Sequence, residues 1–388
     1  MVKVTSCFAQ ALSLVDRYAF LKAVQRHDAE RGAKGFCCWD QFVAMLFCQL
    51  GAAHSLREIC GGLATALGKM VHLGLKAAPK RSTLAYANEH RPWQLYETVF
   101  YQLLAQCQML AATKRRKFRF KNPLRLLDAS VIDLCLSVFD WAKFRRTKGA
   151  IKLHLLLDHQ GCLPCWALVT EGKTHEIKAA RGLSFAPGTI VAMDRGYNDY
   201  RLFTAWIEAG VFFVTRMKHN APYDVIARRA VPAGGPILQD EEIILSGIGA
   251  QDKCPHTLRR VVVWDDKKKE EIVLLAYLPQ LAASTIAAIY KERWQIELFF
   301  KALKQYLKVK TFVGTSENAV KTQIWTALIT MLLLKFMQLK SSWKWSLSNL
   351  AAMLRMNLLT YRDLWLWLNA PFTTPVQEPA GVQLTLAF

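Results

Sequence analysis

The chain has 388 residues, 52% of them hydrophobic, and its 51 lysines and arginines against 30 acids give a formal charge of +21. That apolar fraction excludes a disordered linker, and the length exceeds one compact core, so two to four structural units are expected. So large an excess of cations points to a polyanion, nucleic acid ahead of an acidic membrane surface. Met1–Phe20 carries Lys3, Asp16 and Arg17 without an apolar core, and the longest uncharged apolar run, Ile324–Leu334, is too short to span a bilayer. A soluble, cytoplasmic protein with no membrane role is expected.

Residues 1–112 read as helical throughout, with apolar positions at 3.6 spacing through Ala9–Val24, Phe42–Leu50, Leu56–Leu67 and Trp93–Met109. Ser55-Leu-Arg-Glu58 is a capping-box pattern after the turn Gly51-Ala-Ala-His54, which gives a helix–turn–helix geometry. Ser82 is read as the cap of a short helix, Thr83–His90, preceded by Lys80 and Arg81. A basic N-terminal turn of this kind is how a recognition helix meets a groove and its phosphates, and plain helical packing is the competing reading. Lys114 to Arg125 holds seven cations and no acid, a linker expected to face phosphates.

From Leu124 the pattern becomes strands: Leu124–Asp128, Ile151–Asp158 and Leu163–Thr170, then a helical segment near His175–Leu183 and the strand Thr189–Asp194. This order matches an RNase H-like fold, continued by a helix at Tyr200–Ala209 and a strand at Val211–Arg216. Asp128 follows Leu126-Leu127 within the first strand, and Asp194 ends Ile190-Val-Ala-Met. Asp133 and Asp140 are rivals for the first position, whereas Asp158 belongs to the turn Asp158-His-Gln-Gly161. The cysteines are scattered, and the pair Cys162 and Cys165 lies at a turn entering a strand, without further metal ligands at credible spacing. Between Asp194 and the next helical stretch a surplus of chain, about Lys218 to Tyr277, shows strands at Glu242–Leu245, Leu258–Trp264 and Glu271–Tyr277.

A long helical pattern then runs from about Thr285 to Lys308. At roughly 100° per residue, Tyr290, Arg293, Glu297, Lys301, Lys304 and Lys308 fall within an arc of about 80°, beside an apolar arc of Ile289, Ile296, Phe299, Phe300, Leu303 and Leu307. Taken alone, the stripe reads as a solvated face of i,i+4 ion pairs. Its spacing is Tyr, two residues, Arg, three residues, Glu, six residues, Lys. This resembles, position for position, the signature of the insertion sequence 4 family of bacterial DDE transposases, and Asp194-Arg-Gly-Tyr197 resembles that family's second motif.

The resemblance covers about residues 30–340. It implies an RNase H-like catalytic core with an inserted β-rich subdomain; with the helical patterns on either side, the expected fold class is α/β plus an all-α N-terminal DNA-binding domain and a helical C-terminal region. The corresponding boundaries are 1–112 for DNA-end binding, 113–217 and 278–340 for the core, 218–277 for the insertion, 341–370 for the C-terminal helices and 371–388 for a flexible tail. Asp128, Asp194 and Glu297 become the catalytic, metal-binding acids, holding two ions of Mg²⁺ or Mn²⁺, as hard oxygen ligands suit. Tyr290, Arg293 and Lys304 hold DNA phosphates, and Lys301 of the same stripe is counted with them. Trp264 either stacks on a base flipped from the duplex or fills a core. The implied activity is cleavage of double-stranded DNA at transposon ends through a hairpin intermediate, followed by transfer of the 3′-hydroxyl strands to target, by a homodimer in a synaptic complex. An RNase H-like nuclease without strand transfer, or an inactive DNA-binding regulator, are the alternatives.

Beyond Lys310, Ala319–Leu339 reads as a buried helix, followed by amphipathic helices near Leu347–Arg355 and Thr360–Asn369. The final Gln383-Leu-Thr-Leu386-Ala-Phe388 resembles the hexapeptide by which bacterial DNA-processing proteins bind the replication sliding clamp, with Gln383, Leu386 and Phe388 at the anchor positions. A closing strand that packs Leu386 and Phe388 on the protein itself is the other reading.

Overall fold

The helices of the N-terminal region follow their caps and apolar spacing. They are α1 (Cys7–Leu12), α2 (Arg17–Arg26), α3 (Cys38–Leu50), α4 (Leu56–Ala64), α5 (Arg81–His90) and α6 (Gln94–Ala112) in a computed structural model that describes residues 5–66, 69–135, 139, 141–145, 148–307 and 311–377. The tail residues Gln383, Leu386 and Phe388, and Asp140, lie outside the described residues. At α4 the expected cap forms, Ser55 Oγ accepting from the Glu58 amide at 3.2 Å, but the return bond of the box reaches one residue further, Glu58 accepting from the His54 amide at 2.8 Å. At α5 the expected cap does not. The helix starts at Arg81 after an extended Lys80 with no side-chain cap, so the Ser82 backbone is already helical and its hydroxyl is in the wrong place to close the end.

Then come β1 (Leu124–Leu134), β2 (Lys143–Arg145), β3 (Lys148–Asp158), β4 (Leu163–Glu171), α7 (Glu176–Ala180), β5 (Ile190–Met193), α8 (Tyr200–Glu208), β6 (Phe212–Arg216), β7 (Tyr223–Arg228), β8 (Ile237–Leu245), α9 (Ala250–Lys253), β9 (Leu258–Asp265) and β10 (Glu270–Tyr277). The chain ends in α10 (Ala283–Glu292), α11 (Trp294–Tyr306), α12 (Glu317–Lys340), α13 (Leu347–Met356) and α14 (Leu364–Asn369). The single helix expected over 285–308 is thus two, broken at Arg293, and the last helix is shorter than its pattern because Asp363 caps it, accepting from the Leu366 amide.

The residues form two compact units, one of Met1–Lys114, Leu134–Ala142 and Lys301–Phe388, the other of Arg115–Asp133 and Lys143–Phe300. In the first, α12 packs against α6 and α3. By length and composition α12 could cross a membrane, yet 83% of its apolar window is buried among its neighbours, as the core helix of a bundle is.

The second unit is built on one sheet, in the order β2-β3-β1-β5-β6-β10-β9-β8-β7, with β4 also paired to β3. β1, β5 and β6 run parallel, and Ile190–Met193 is buried along its whole length, as a parallel strand covered on both faces must be. Leu127, Val191, Met193 and Phe213 share a core with Leu202, Phe203 and Trp206 of α8, where Phe203 stacks on Phe213 at 4.3 Å. Side chains alternate along strands, so Asp128 lies on the other face, across which α10 packs on β5, β6, β8 and β9. The strands expected as an insertion continue this same sheet, because β10 pairs antiparallel with β6 and hands on to β9, β8 and β7. β7 has no clean apolar alternation at the sheet edge, mostly exposed, and was not legible beforehand.

Candidate active site

Parallel strands end together, and what they carry at their C-terminal ends converges. β1 and β5 pair with Leu127 opposite Met193, so Asp128 and Asp194 are the next residues in register on adjacent strands. Asp128 is the fifth of eleven residues in β1, and Asp133, five positions later, is exposed on the opposite face. Asp158 is spent elsewhere: it pairs with Arg125 at 2.7 Å and closes the turn by accepting from the Gln160 amide at 3.0 Å.

Glu297 arrives from α11, in the turn after the break. Between the acids stands Arg293, whose Nη1 donates to Asp128 Oδ2 at 3.2 Å while Nη2 donates to Glu297 Oε1. Tyr290 lies beneath the guanidinium, its ring centroid 5.7 Å from Cζ. Burial works against the Arg293 charge, but Tyr290, Asp128, Glu297 and Asp194 outweigh it and hold the guanidinium more firmly charged than usual. Asp128 is perturbed the other way. Burial, aided by the charges of Asp194 and Glu297 and opposed by Arg293 and the Ala129 amide, lifts its carboxyl from 3.8 to about 6. Burial likewise raises the Tyr290 and Tyr197 phenols. The Tyr197 hydroxyl and Arg293 Nε are buried without a hydrogen-bond partner among the described residues.

The donor set suits a hard cation: three carboxylates in a half-buried hollow, short of positive charge, with one guanidinium already bridging two of them. As the side chains stand, no three metal-ligating groups among the described residues approach closely enough to share one ion, because Arg293 occupies the space between Asp128 and Glu297.

Lys301 and Lys304 follow on α11, Lys301 exposed. Trp264 is half-buried near the end of β9, its indole donating to Asp266 at 3.0 Å. Lys80 and Arg81 are exposed at the start of α5. Cys162 and Cys165 are in no disulfide, and burial pushes the Cys165 thiol up to about 12. Sequence reading missed a hollow lined by Arg181, Arg201, Lys218 and Lys253, four cations from separate segments, of which Arg181 is paired at 2.8 Å with Asp199 on the same wall.

Residues 119–333, more than half of the chain, match the family described as the transposase DDE domain. Residues 4–76 match a family described as a domain of unknown function. The chain is 33% identical over 262 residues to a Sinorhizobium fredii protein named as transposase y4zB, which spans 66% of this chain and 71% of that one. It is 28% identical over 258 residues to a Geobacillus stearothermophilus protein named as the transposase of insertion sequence element IS5377, across 66% of this chain and 67% of that one. With a Synechocystis protein named as the transposase of element IS4SA it shares 30% identity over 261 residues, 66% of this chain and 71% of the relative. The chain therefore belongs to the DDE transposases of insertion sequences, of the insertion sequence 4 type. In backbone it is similar to the piggyBac transposase in a synaptic complex with hairpin DNA, with a TM-score of 0.45 at 10% identity, covering 91% of this chain and 79% of that one.

Proposed function

We propose that the chain binds the inverted-repeat ends of its element, cuts them and joins the 3′-hydroxyl strands to target DNA, with Asp128, Asp194 and Glu297 as the catalytic acids of an RNase H-like core. The observation that carries this reading is that Asp128 and Asp194 directly follow the last paired residues of parallel β1 and β5, Leu127 and Met193, while Arg293 bonds both Asp128 and Glu297. Two Mg²⁺ or Mn²⁺ ions held by these three acids would supply Lewis acidity at the scissile phosphorus and its attacking and leaving oxygens.

The chain's own residues then have distinct tasks. Asp128, which feels the charges of both other acids, would hold the ions together with Asp194 and Glu297. Arg293 leaves the carboxylates and turns its fork to a phosphate, for which a planar bidentate donor is suited. Tyr290, Lys301 and Lys304 add phosphate contacts, and the hollow of Arg181, Arg201, Lys218 and Lys253 offers the strand a cationic track away from Asp194. The N-terminal helices, with Lys80 and Arg81, bind the end itself, and second-strand cleavage proceeds through a hairpin in which Trp264 stacks on a flipped base. A homodimer holds the two ends.

The test uses gel shift and nicking on the same protein with a duplex carrying the repeats that flank the gene. Asp128→Ala, Asp194→Ala and Glu297→Ala are each expected to abolish nicking while end binding stays nearly intact. Appreciable nicking by Asp128→Ala would remove Asp128 from the set of catalytic acids. A pre-cut end that the wild type cannot join to target would leave a nuclease without strand transfer.

A further inference from the structure

Glu292, the last residue of α10, directly precedes Arg293 yet faces away from the carboxylates. Its side chain is only 8% exposed and is held from two sides, Oε1 accepting from Lys117 Nζ at 2.5 Å and Oε2 from His159 Nε2 at 2.8 Å. Those donors come from different segments. Lys117 belongs to the basic stretch before β1, and His159 to the β3–β4 turn, where its ring also lies 5.7 Å from Phe118. That turn is itself fixed to β1, by the Arg125–Asp158 pair at 2.7 Å and by the His159 amide donating to the Leu124 carbonyl at 3.0 Å. Burial by itself would raise the Glu292 carboxyl, but the hydrogen bonds from Lys117 and His159 prevail and hold it below its ordinary value, so the acid is ionised.

The joint that follows is tight. The Arg293 amide donates to the Tyr290 carbonyl at 3.0 Å and the Ile296 amide to the Arg293 carbonyl at 3.1 Å, both three-residue bonds. Neighbouring helical side chains point about 100° apart, so whatever fixes the heading of Glu292 also fixes that of Arg293. An exposed ion pair would need no such arrangement. Here a buried acid draws the basic stretch and the β3–β4 turn onto the one place where the helix breaks.

We propose that Glu292, gripped by Lys117 and His159, is a positioning residue that sets the joint between α10 and α11 and so aims Arg293. The inference rests on the phosphate role given to Arg293 above. Glu292 touches neither the carboxylates nor DNA; its effect passes through the direction of the next side chain.

The test is a double-mutant cycle on the full chain: wild type, Glu292→Gln, Arg293→Ala and the double variant, read by single-turnover nicking with Mg²⁺ on a duplex carrying the flanking repeats, with a melting curve for each. Glu292→Gln is expected to slow nicking about tenfold in the wild-type background, since a small misplacement near the reacting atoms is costly, and to cost about twofold or less where Arg293 is already gone. The same loss in both backgrounds would show a merely structural role and overturn the proposal. So would an unimpaired Glu292→Gln beside a damaged Arg293→Ala, which leaves the phosphate role of Arg293 standing. Full activity of Arg293→Ala would instead overturn that role and the positioning with it. If Glu292→Gln does not fold, Lys117→Met, at a side chain 60% exposed, replaces it in the cycle. Its loss is expected to be about threefold and confined to the Arg293 background; an equal loss in both again sinks the idea.

Discussion

Removing the charge of Asp128 should make the metal-free protein more stable at neutral pH while destroying its activity. The carboxyl is lifted from 3.8 to about 6. At 1.36 kcal/mol per pKa unit, ionising it inside the fold costs about 3 kcal/mol relative to ionising it in the unfolded chain. Its folded pKa is the higher one, so its contribution is most favourable below about pH 4 and is lost as pH rises through about 6. Asp128→Asn keeps the shape and stays neutral at every pH. Part of the gain is returned, because Arg293 loses one of its two carboxylate partners and keeps only Glu297. A net advantage of about 1–3 kcal/mol is expected at pH 8 in chelator, shrinking towards zero near pH 4. Paired thermal melts of wild type and Asp128→Asn across that range measure it, and Mn²⁺ should raise the wild-type midpoint at pH 8 more than the variant's. An Asp128→Asn protein that melts below wild type at pH 8, or by the same margin at pH 4 and pH 8, would refute the reasoning, because the site would then not be short of positive charge.

Arg293→Gln frees Asp128 and Glu297 and should bind Mn²⁺ about tenfold more tightly in the absence of DNA, the worth of about 1.4 kcal/mol; electron paramagnetic resonance titration reads it, and weaker binding would contradict a guanidinium that competes with the ion. Arg259 is 4% exposed, donates to both oxygens of Asp240 at 2.8 and 2.5 Å, and also reaches the carbonyls of Leu278 and Leu281. Arg259→Met should therefore cost about 3–5 kcal/mol by leaving a buried charge unpaired, visible in chemical denaturation, whereas a loss below about 1 kcal/mol would place Asp240 in contact with water. A peptide spanning 379–388 should bind the sliding clamp saturably in fluorescence anisotropy and lose that binding on Leu386→Ala/Phe388→Ala; unaffected binding would mean the anchors are elsewhere.

Strong local signals made much of the catalytic sheet readable. Ile190-Val-Ala-Met193 is apolar without alternation, as a strand buried on both faces has to be, and the acid that ends it could only sit at the strand's C-terminal end. Asp128 was harder, because the β1 pattern runs on to Leu134 and places Asp133 on the same strand; the period of two separates them once the register is known. The break at Arg293 left no mark, since Tyr290–Lys304 contains neither proline nor glycine and keeps a helical period across the joint. What bends it is Glu292, Lys117 and His159, residues 175 and 133 positions apart in pairs, and such distant partners have no local pattern. The same holds for the basic hollow. β7 was lost because an exposed edge strand buries no face and so shows little alternation.

The way β10 enters the sheet limits how this protein can be rebuilt. Its backbone pairs with β6 on one side and β9 on the other, through Leu274, Leu275 and Ala276, and the chain then leaves it for α10. A deletion joining Arg216 to Ala283 would strip β6 of its neighbour and expose a row of unsatisfied amides and carbonyls beside the strand that carries Asp194. The exposed edge strand β7 can vary with little penalty, whereas β8 and β9 fill the core with Ile243, Leu245 and Leu258, and the strand that returns from them is shared property that a minimal version of the enzyme has to retain.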